Sequence, residues 1–373
     1  MANRVYLFAN FGNWKKQPFG GGEVGNRRTL ALLKKANYDI KLIEKYQRVD
    51  SHIAINLILL MLKMVSNVIG YACKLVFGRR RNSIVHVVGF YGPMVYFENA
   101  LVLIAKLFGY KVVYEMRGGG AESYYENGPA LYRHVFRHLI NWADVIFTQG
   151  LENYPLIERL SKGKPMFYYP NFVMRDFYPQ NYPVKPADRI NMMYFGRVSR
   201  SKNIDILVKA FIKAASKHDN LYLDIVGDCP EQKYADYIKN IISGSEYGNR
   251  VKMHQACTHE QLKTYLKDKH IYLFPTNEPH EGHSNALTEA MAWGLIPVAT
   301  NQGFNRSVIG NDDLIVETLT PDAFADVIEN LILNKKMKEY SYAAYRRVMD
   351  NYTEDKIYKD FKKEYDSLFK DWS

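Results

Sequence analysis

Cysteine is scarce in this sequence. Its 373 residues include three cysteines, Cys73, Cys229 and Cys257. Because three is an odd number and none of them has the close spacing of zinc ligands, the sequence supports neither a disulfide framework nor a cysteine zinc site. Such sparing use is typical of a protein that works in a reducing cytoplasm.

The chain also lacks the pattern of a secretory signal and a clean membrane-spanning run. Residues 1–10 contain only a short apolar run before a glycine-rich stretch, which predicts a first strand and not a signal peptide. The long apolar run at residues 53–77 is interrupted by Lys63 and Lys74, so a simple spanning helix is disfavoured. It leads into Arg79–Arg81, and the whole pattern fits either a helix lying in a membrane interface or a buried helix of the first domain.

Acidic residues are few in the first half of the chain. Residues 1–186 hold 25 Lys and Arg against 12 Asp and Glu, a net charge of +13, whereas the remainder carries −2 of the total of +11. This asymmetry indicates an anionic partner for the first half. Since no nucleic-acid-binding motif accompanies the charge, we favour an anionic membrane surface over a nucleic acid.

The remaining composition is ordinary for a globular protein, with 47% apolar and 24% charged residues, and it supplies material for two cores. Strand and helix patterns alternate along the chain, which predicts an α/β fold. Three prolines within residues 174–188 mark a linker. We expect a first domain at residues 1–175, a second domain at residues 189–354 and a final amphipathic helix at residues 355–372.

Residues 280–294 predict a loop and a helix between two strands. Short apolar runs of strand character flank them, at residues 271–276 and 295–300. Ser284 is a natural N-cap, so the helix should begin near Asn285. Its first backbone N–H groups would then point out of the carboxyl edge of a parallel sheet, where phosphates bind in such folds.

Two glutamates belong to this segment, Glu281 in the loop and Glu289 in the second turn of the helix, with seven residues between them. A carboxylate accepts hydrogen bonds at two oxygens and therefore suits a vicinal diol. A nucleoside diphosphate sugar has a diol at each end, on its sugar and on its ribose. The alternative is that both glutamates are ordinary exposed charges.

A second loop between a strand and a helix carries two cations, Arg197 and Lys202. The strand is predicted at residues 190–195 and the helix at residues 204–215. Arg197 and Lys202 therefore lie on a second strand-to-helix loop, and the two motifs together are more specific than either motif alone.

In these two motifs the sequence resembles the retaining GT-B glycosyltransferases of family four, the group 1 type used in assembly of bacterial cell-surface polysaccharides. That family is marked by a Gly-Arg-(four residues)-Lys loop and by a Glu-(seven residues)-Glu loop and helix, and both are intact here. The likeness covers essentially the whole chain and is most specific in residues 190–300. It includes three further segments, Gly20–Gly25, Tyr169–Phe172 and Asp224–Asp228.

The resemblance implies two Rossmann-like domains that face each other across a cleft, with the final helix packed back on the first domain. It also implies transfer of a hexose from a UDP- or GDP-sugar, with retention of configuration. Arg197 and Lys202 would stabilise the departing diphosphate, together with the helix N-terminus. Glu281 would orient the donor sugar and Glu289 the ribose. The donor-binding residues would be Gly21, Gly22, Gly196, Ser284, Asn285, Ala286, Leu287 and Glu289.

We expect no cofactor and no metal ion. The two cations would replace the metal that other transferases use, and the sequence contains no Asp-x-Asp element. His134 and His138 share a predicted helix, but no third ligand accompanies them.

In the first domain, a glycine-rich loop at Gly20–Gly25 is predicted to precede a helix at residues 26–36, and the resemblance places this loop near donor and acceptor. A second glycine-rich loop holds Arg117 and Gly118. Many relatives have a histidine directly after the strand that precedes this loop, and here Arg117 stands in its place. Arg117 would either bind donor phosphate or an anionic acceptor in the cleft, or form a structural salt bridge.

The acceptor would be a glycan or a polyprenyl-diphosphate-linked sugar, and the protein would be cytoplasmic and peripheral on the inner face of the cell membrane. Two other functions stay open. One is another GT-B enzyme, such as a nucleotide-sugar epimerase or a phosphorylase. The other is a non-catalytic subunit that binds nucleotide or lipid.

Overall fold

The computed structural model describes residues 3–15, 20–45, 53–186 and 188–370. The chain forms two compact units. The first combines Met1–Pro170 with Tyr358–Ser373, and the second is Asn171–Ile357. The first unit is therefore assembled from two separate stretches of the chain.

A sheet of six parallel strands lies in the first unit. The strands are β1 (Arg4–Ala9), β2 (Asp39–Glu44), β3 (Ser83–Phe90), β4 (Lys111–Arg117), β5 (Val145–Thr148) and β6 (Met166–Tyr168). They pair in the order β2-β1-β3-β4-β5-β6. Residues 5–9 of β1 are all buried, as expected for a parallel sheet that helices cover on both faces.

In the described part of this unit, six helices lie between successive strands. They are α1 (Gly21–Lys35), α2 (Ile53–Val76), α3 (Val95–Leu107), α4 (Ala121–Asn127), α5 (Ala130–Trp142) and α6 (Tyr154–Leu160). Within the described parts of the chain, no helix combines the length and the apolar character needed to span a membrane.

The predicted start of α1 is wrong by five residues. The sequence predicts a loop at Gly20–Gly25 and a helix from residue 26, whereas the helix begins at Gly21. A glycine costs a helix only about 1 kcal/mol, and side chains further along the helix anchor it: Asn26 donates to the carbonyl of Asn10, and Arg27 to that of Phe11. Gly21 and Gly22 thus form the first helical turn, and Phe19, at the start of the predicted loop, lies outside the described residues.

The second unit repeats the architecture. Its strands are β7 (Ile190–Phe195), β8 (Leu221–Val226), β9 (Val251–His254), β10 (Ile271–Phe274), β11 (Ile296–Thr300) and β12 (Ile315–Val316). They pair in parallel in the order β12-β11-β10-β7-β8-β9. The chain thus winds outward from β7 through β8 to β9, then returns to the other side of β7 with β10. The carboxyl ends of β7 and β10 flank the point where the winding reverses, and such a point is where doubly wound sheets bind their ligands.

The helices of the second unit are α7 (Ile204–Ala215), α8 (Gln232–Ser243), α9 (His259–Leu266), α10 (Asn285–Ala292), α11 (Asn305–Ile309), α12 (Pro321–Leu333) and α13 (Met337–Asn351). The prediction of two Rossmann-like α/β domains is confirmed.

The last helix, α14 (Glu354–Lys370), returns the chain to the first unit. Its residues Phe361 and Tyr365 are fully buried there. The ring of Phe361 lies 5.2 Å from that of Tyr169, and the Tyr365 hydroxyl is hydrogen-bonded to Nδ1 of His86 in β3. This helix is therefore part of the core of the first unit.

Candidate functional site

Two hydrogen bonds, one between backbone groups and one from a side chain to the backbone, join the loop after β7 to the loop after β10. The amide of Asn277 donates to the carbonyl of Ser201 at 2.9 Å, and Nδ2 of Asn203 donates to the carbonyl of Pro275 at 2.8 Å. Since β7 and β10 are neighbouring strands, these bonds fix the two loops side by side at the carboxyl edge of the second sheet.

Lys202 and Glu281 meet between these loops. Nζ of Lys202 forms an ion pair with the Glu281 carboxylate and donates to Oγ1 of Thr276 at 3.1 Å. The Thr276 hydroxyl in turn donates to Oε2 of Glu281 at 2.9 Å. The side chains of Lys202 and Glu281 are 19% and 12% exposed, so this cluster of cation, hydroxyl and carboxylate lies half-buried at the sheet edge.

Arg197 lies five residues before Lys202 in the same loop, and it is exposed. The hydroxyl of buried Tyr194 donates to the Arg197 carbonyl at 2.7 Å. Burial, followed by the charge of Glu281, raises the pKa of Tyr194 well above its usual value. The phenol therefore stays protonated and keeps the start of the loop in place.

Gly196 and Gly227 allow the ends of β7 and β8 to approach closely. Their φ angles are +138° and +155°. A Cβ atom on Gly227 would lie 1.8 Å from the carbonyl oxygen of Gly196, which no side chain can tolerate. Only glycine at position 227 is compatible with this course of the Gly196–Lys202 loop.

Helix α10 begins and ends where the sequence predicts. It starts at Asn285, and Oγ of Ser284 accepts a hydrogen bond from the amide of Leu287 at 3.3 Å. It ends at Ala292, and Gly294 has the left-handed φ of +71° typical of a residue just past a helix. The first turn, with Asn285, Ala286 and Leu287, lies at the carboxyl edge of the sheet, next to the loop that carries Glu281.

Glu289 lies in α10 and is 4% exposed, with Oε1 at 3.8 Å from Nε2 of His259. A buried glutamate in contact with an exposed histidine differs from the solvated surface residue that the alternative interpretation requires. The pKa of buried Tyr272 is raised, first by burial and then by neighbouring charges that include the carboxylates of Glu281 and Glu289.

Sequence reasoning missed three residues that shape the Glu281 loop. Thr276 links Lys202 to Glu281. Asn203 adopts a left-handed φ of +50° just before α7, a conformation that asparagine tolerates better than most residues. Gly303 has φ +57°, and a Cβ there would lie 2.0 Å from the Glu281 carbonyl. A polar residue two positions after the end of β10 was the available signal for Thr276, whereas nothing local marks Gly303.

Arg117 is held in a buried network of the first unit. Its Nε donates to Oε1 of Glu115, its Nη1 to the carbonyl of Gly22 at 3.1 Å and its Nη2 to Oγ1 of Thr29 at 3.2 Å. Nε2 of His86 lies 2.9 Å from the other oxygen of Glu115. These contacts correspond to the structural salt bridge, one of the two roles that the sequence left open, and they connect β4 to the first turn of α1.

Although burial raises the pKa of Glu115, the charge of Arg117 and the hydrogen bond with His86 bring this pKa below its ordinary value. Glu115 is therefore ionised, and the network holds a buried charge pair. Next to it, the amide of Gly118 donates to Oε1 of Gln149 at 3.4 Å.

Among the residues that the structure describes, no group of three or more His, Cys, Asp and Glu side chains is arranged to hold a metal ion. In α5, Nδ1 of His138 lies 2.9 Å from Oδ1 of Asn99.

Comparison with known proteins shows what the segment that carries these motifs is similar to. Residues 180–347 match the sequence model of the family described as glycosyl transferases group 1. The chain is similar to the capsular polysaccharide biosynthesis glycosyltransferase CapM of Staphylococcus aureus, with 24% identity over 190 residues, 49% of this chain and 48% of CapM. It is also similar to the phosphatidylinositol N-acetylglucosaminyltransferase GPI3 subunit of Saccharomyces cerevisiae, with 25% identity over 161 residues, 42% of this chain and 34% of that protein. The chain thus spans less than half of the length of these two relatives.

Solved structures share the fold along nearly the whole chain. Sucrose-phosphate synthase from Thermosynechococcus elongatus superposes with a TM-score of 0.74 at 17% identity, covering 99% of this chain and 100% of that one. HepE from Anabaena, in complex with UDP, superposes with a TM-score of 0.70 at 13% identity, covering 98% and 100%.

Together these matches show that residues 180–347 are similar to group 1 glycosyltransferases. The fold is that of the GT-B glycosyltransferases, with two Rossmann-like domains. Both motifs, Gly196–Lys202 and Glu281–Glu289, lie inside the matched residues 180–347.

Proposed function

We propose that this protein is a retaining glycosyltransferase that moves a hexose from a nucleoside diphosphate sugar to an acceptor, without a metal ion or other cofactor. The observation that carries the proposal is the cluster of Lys202, Thr276 and Glu281 beside the N-terminus of α10, at the reversal point of the second sheet.

The departing group in such a reaction is a nucleoside diphosphate, which gains negative charge as the bond from the sugar breaks. A catalyst must stabilise this charge more in the transition state than in the ground state. Lys202 and Arg197 supply two positive charges from one loop. The first-turn N–H groups of α10 add the positive end of a helix dipole. Two fixed cations and a helix terminus can together provide what a divalent metal provides in other transferases.

The two glutamates would hold the two ends of the donor. Glu281 lies next to Lys202, so a sugar attached to the diphosphate would lie within its reach. Glu289 lies one turn into α10 and would accept hydrogen bonds from the ribose hydroxyls. The donor-binding surface would also include Gly196 and Ser284.

Similar proteins guide the choice of substrates to test. HepE has been solved with UDP and with UDP-glucose. A GDP-mannose:cellobiosyl-diphosphopolyprenol alpha-mannosyltransferase of Xanthomonas oryzae is 26% identical over 151 residues, 38% of this chain and 37% of that protein. We propose a UDP- or GDP-sugar as donor and a glycan or polyprenyl-diphosphate-linked acceptor, handled at the cytoplasmic face of the cell membrane.

A thermal-shift panel of UDP-, GDP- and ADP-sugars tests the donor, because a ligand that binds only the folded protein raises the melting temperature. Transfer should then be assayed with the stabilising donor, with and without a chelator, and the anomeric configuration of the product read by NMR. We expect an unchanged rate with chelator and a retained configuration. Failure of every nucleotide sugar to stabilise the protein would contradict the proposed function.

A further inference from the structure

Among the described side chains of helix α2, those that pack on the core of the first unit lie along one face of the helix. Tyr71 and Leu75 are fully buried, and Met64 and Val68 pack partly buried against the same core cluster. These positions follow the spacing of one helical face. The Tyr71 hydroxyl donates to the Leu101 carbonyl at 3.0 Å, which ties this face of α2 to α3.

The opposite face of α2 is apolar and exposed. Leu62, Val65 and Ile69 are 61%, 57% and 59% exposed, and Phe77, just past the helix end, is 89% exposed. Single exposed apolar residues are common on soluble proteins. A row of them at spacings of three, four and eight residues forms a continuous stripe, which marks a surface for an apolar partner.

Two exposed arginines, Arg80 and Arg81, follow this stripe directly. The end of α2 is fixed to the core, since the hydroxyl of Tyr110 donates to the Leu75 carbonyl at 2.8 Å. At Gly78 a Cβ would lie 2.4 Å from the Tyr6 hydroxyl. The apolar stripe and the arginines are therefore held close together on one rigid support.

We infer that this surface, formed by Leu62, Val65, Ile69, Phe77, Arg80 and Arg81, binds the surface of an anionic lipid bilayer. The apolar side chains would enter the boundary between headgroups and acyl chains, and the arginines would lie at the level of the lipid phosphates. The excess of Lys and Arg over Asp and Glu in residues 1–186 is 13 charges, which complements such a membrane. The inference concerns a surface of the first unit and does not rest on the proposed sugar transfer.

A second copy of the chain fits this surface less well than a membrane does. Its own arginines and its positively charged first unit would approach the same charges on the first copy, and like charges brought together at an interface disfavour association. An anionic bilayer offers both the apolar layer and the opposite charge.

Co-sedimentation with vesicles tests the inference. Vesicles of phosphatidylcholine alone are compared with vesicles that also contain phosphatidylglycerol, at low and at high salt. We expect binding to the anionic vesicles that falls with salt, because screening weakens attraction between exposed charges. Arg80→Gln with Arg81→Gln should weaken binding about fivefold for each arginine. Leu62→Gln with Ile69→Gln should weaken it by roughly tenfold or more, since each leucine or isoleucine loses its burial in the lipid.

A matched control comes from the second unit, where exposed Leu333 is followed closely by exposed Lys335 and Lys336. Changing these three residues to Gln removes one large apolar side chain and two charges, and it should leave vesicle binding unchanged. Glutamine is a good helix former, so α2 should keep its structure, which circular dichroism and the melting temperature check.

The inference is wrong if the unaltered protein does not sediment with anionic vesicles at low salt, or if both α2-surface variants bind them as it does. It is also wrong if light scattering shows a dimer that Leu62→Gln with Ile69→Gln converts to a monomer, because the partner is then a second copy. A protein that binds vesicles but no nucleotide sugar would contradict the proposed function and leave this inference standing.

Discussion

Lys202 and Glu281 form an ion pair that is bridged by the hydroxyl of Thr276. The two residues belong to different motifs, 79 positions apart, and they come together because β7 and β10 are neighbours in the sheet. The pair has a direct consequence for ligand binding. A bound diphosphate and the Glu281 carboxylate would share the same ammonium group, so they would compete for it and repel each other.

Glu281→Gln should therefore strengthen binding of a bare nucleoside diphosphate while it slows sugar transfer. The variant removes a negative charge close to the diphosphate, which we expect to raise affinity roughly three- to thirtyfold at moderate ionic strength. Turnover should fall because the sugar loses its hydrogen-bond acceptor. Calorimetric titration and the transfer assay measure the two effects. Glu278→Gln, in the same loop, is the control, and an affinity at or below that of the unaltered protein would argue against the competition.

Lys202→Met should lower turnover by roughly ten- to a thousandfold, the usual loss when one charge-stabilising donor is removed. Arg197→Met should act in the same direction. Arg200→Met is the matched control, because Arg200 lies in the same loop but pairs with Glu231 at 2.8 Å on the surface. Native melting temperatures confirm folding. Near-normal turnover in both Lys202→Met and Arg197→Met would refute the assignment of this loop to the diphosphate.

Glu289→Gln should remove the preference of the protein for an intact ribose. Hydrogen bonds to a charged group contribute about 1.5–3 kcal/mol, so the unaltered protein should bind a nucleoside diphosphate roughly ten- to a hundredfold more tightly than its 2′,3′-dideoxy analogue. In the variant this ratio should approach one. Glu260→Gln, which changes an exposed glutamate in neighbouring α9, should keep the ratio. If the variant discriminates as well as the unaltered protein does, another residue holds the ribose.

Glu115→Gln should destabilise the protein by about 3–5 kcal/mol at neutral pH, because Arg117 would be left as an uncompensated buried charge. The pKa of Glu115 in the folded protein lies below the ordinary value of 4.5. At a pH between the pKa of Glu115 in the folded protein and its ordinary value in the unfolded chain, the unfolded chain binds a proton that the folded protein does not. The stabilisation by Glu115 is therefore complete above about pH 4.5 and is lost as the pH falls below it. As the pH falls below about 4.5, the difference in the free energy of unfolding between the unaltered protein and Glu115→Gln should therefore become smaller.

Urea denaturation at pH 7 and at pH 4 measures this difference. Glu122→Gln is the control: Glu122 is exposed and lies 3.4 Å from Arg159, and a surface pair of this kind contributes at most about 1 kcal/mol. A stability gap between the protein and Glu115→Gln that does not change with pH would contradict the ionised state of Glu115.

Much of the second unit follows from local sequence. The strand β7 and the helix α7 have the predicted bounds, because each has a clear apolar pattern with polar residues or glycine at its ends. Helix caps depend on the residues next to the helix ends, so Ser284 and Gly294 mark the two ends of α10 in the sequence. The start of α1 was mispredicted for a related reason. Three glycines suggest a loop, but contacts of Asn26 and Arg27 with the preceding loop stabilise the helix through them.

Contacts between distant segments could not be predicted in the same way. Sequence order does not reveal that β10 returns beside β7, so the motifs of Lys202 and Glu281 could be recognised separately but not joined through Thr276. The alternatives for residues 53–77 were left open because α2 has two apolar faces, and only the packing of Tyr71 and Leu75 shows which one is buried. The network of Arg117 depends likewise on Glu115 and His86, which lie on adjacent strands.

Helix α14 has a consequence for the order in which the protein can complete its folding during synthesis. Chains emerge from the ribosome N-terminus first, and domains generally fold as they emerge. The first sheet is synthesised before the whole of the second unit, yet its core contains Phe361 and Tyr365, which come after it. His86 can therefore form its hydrogen bond with Tyr365 only after the entire second unit has been translated. The unit whose synthesis begins first is therefore completed last, and its apolar core stays incompletely covered in the interval.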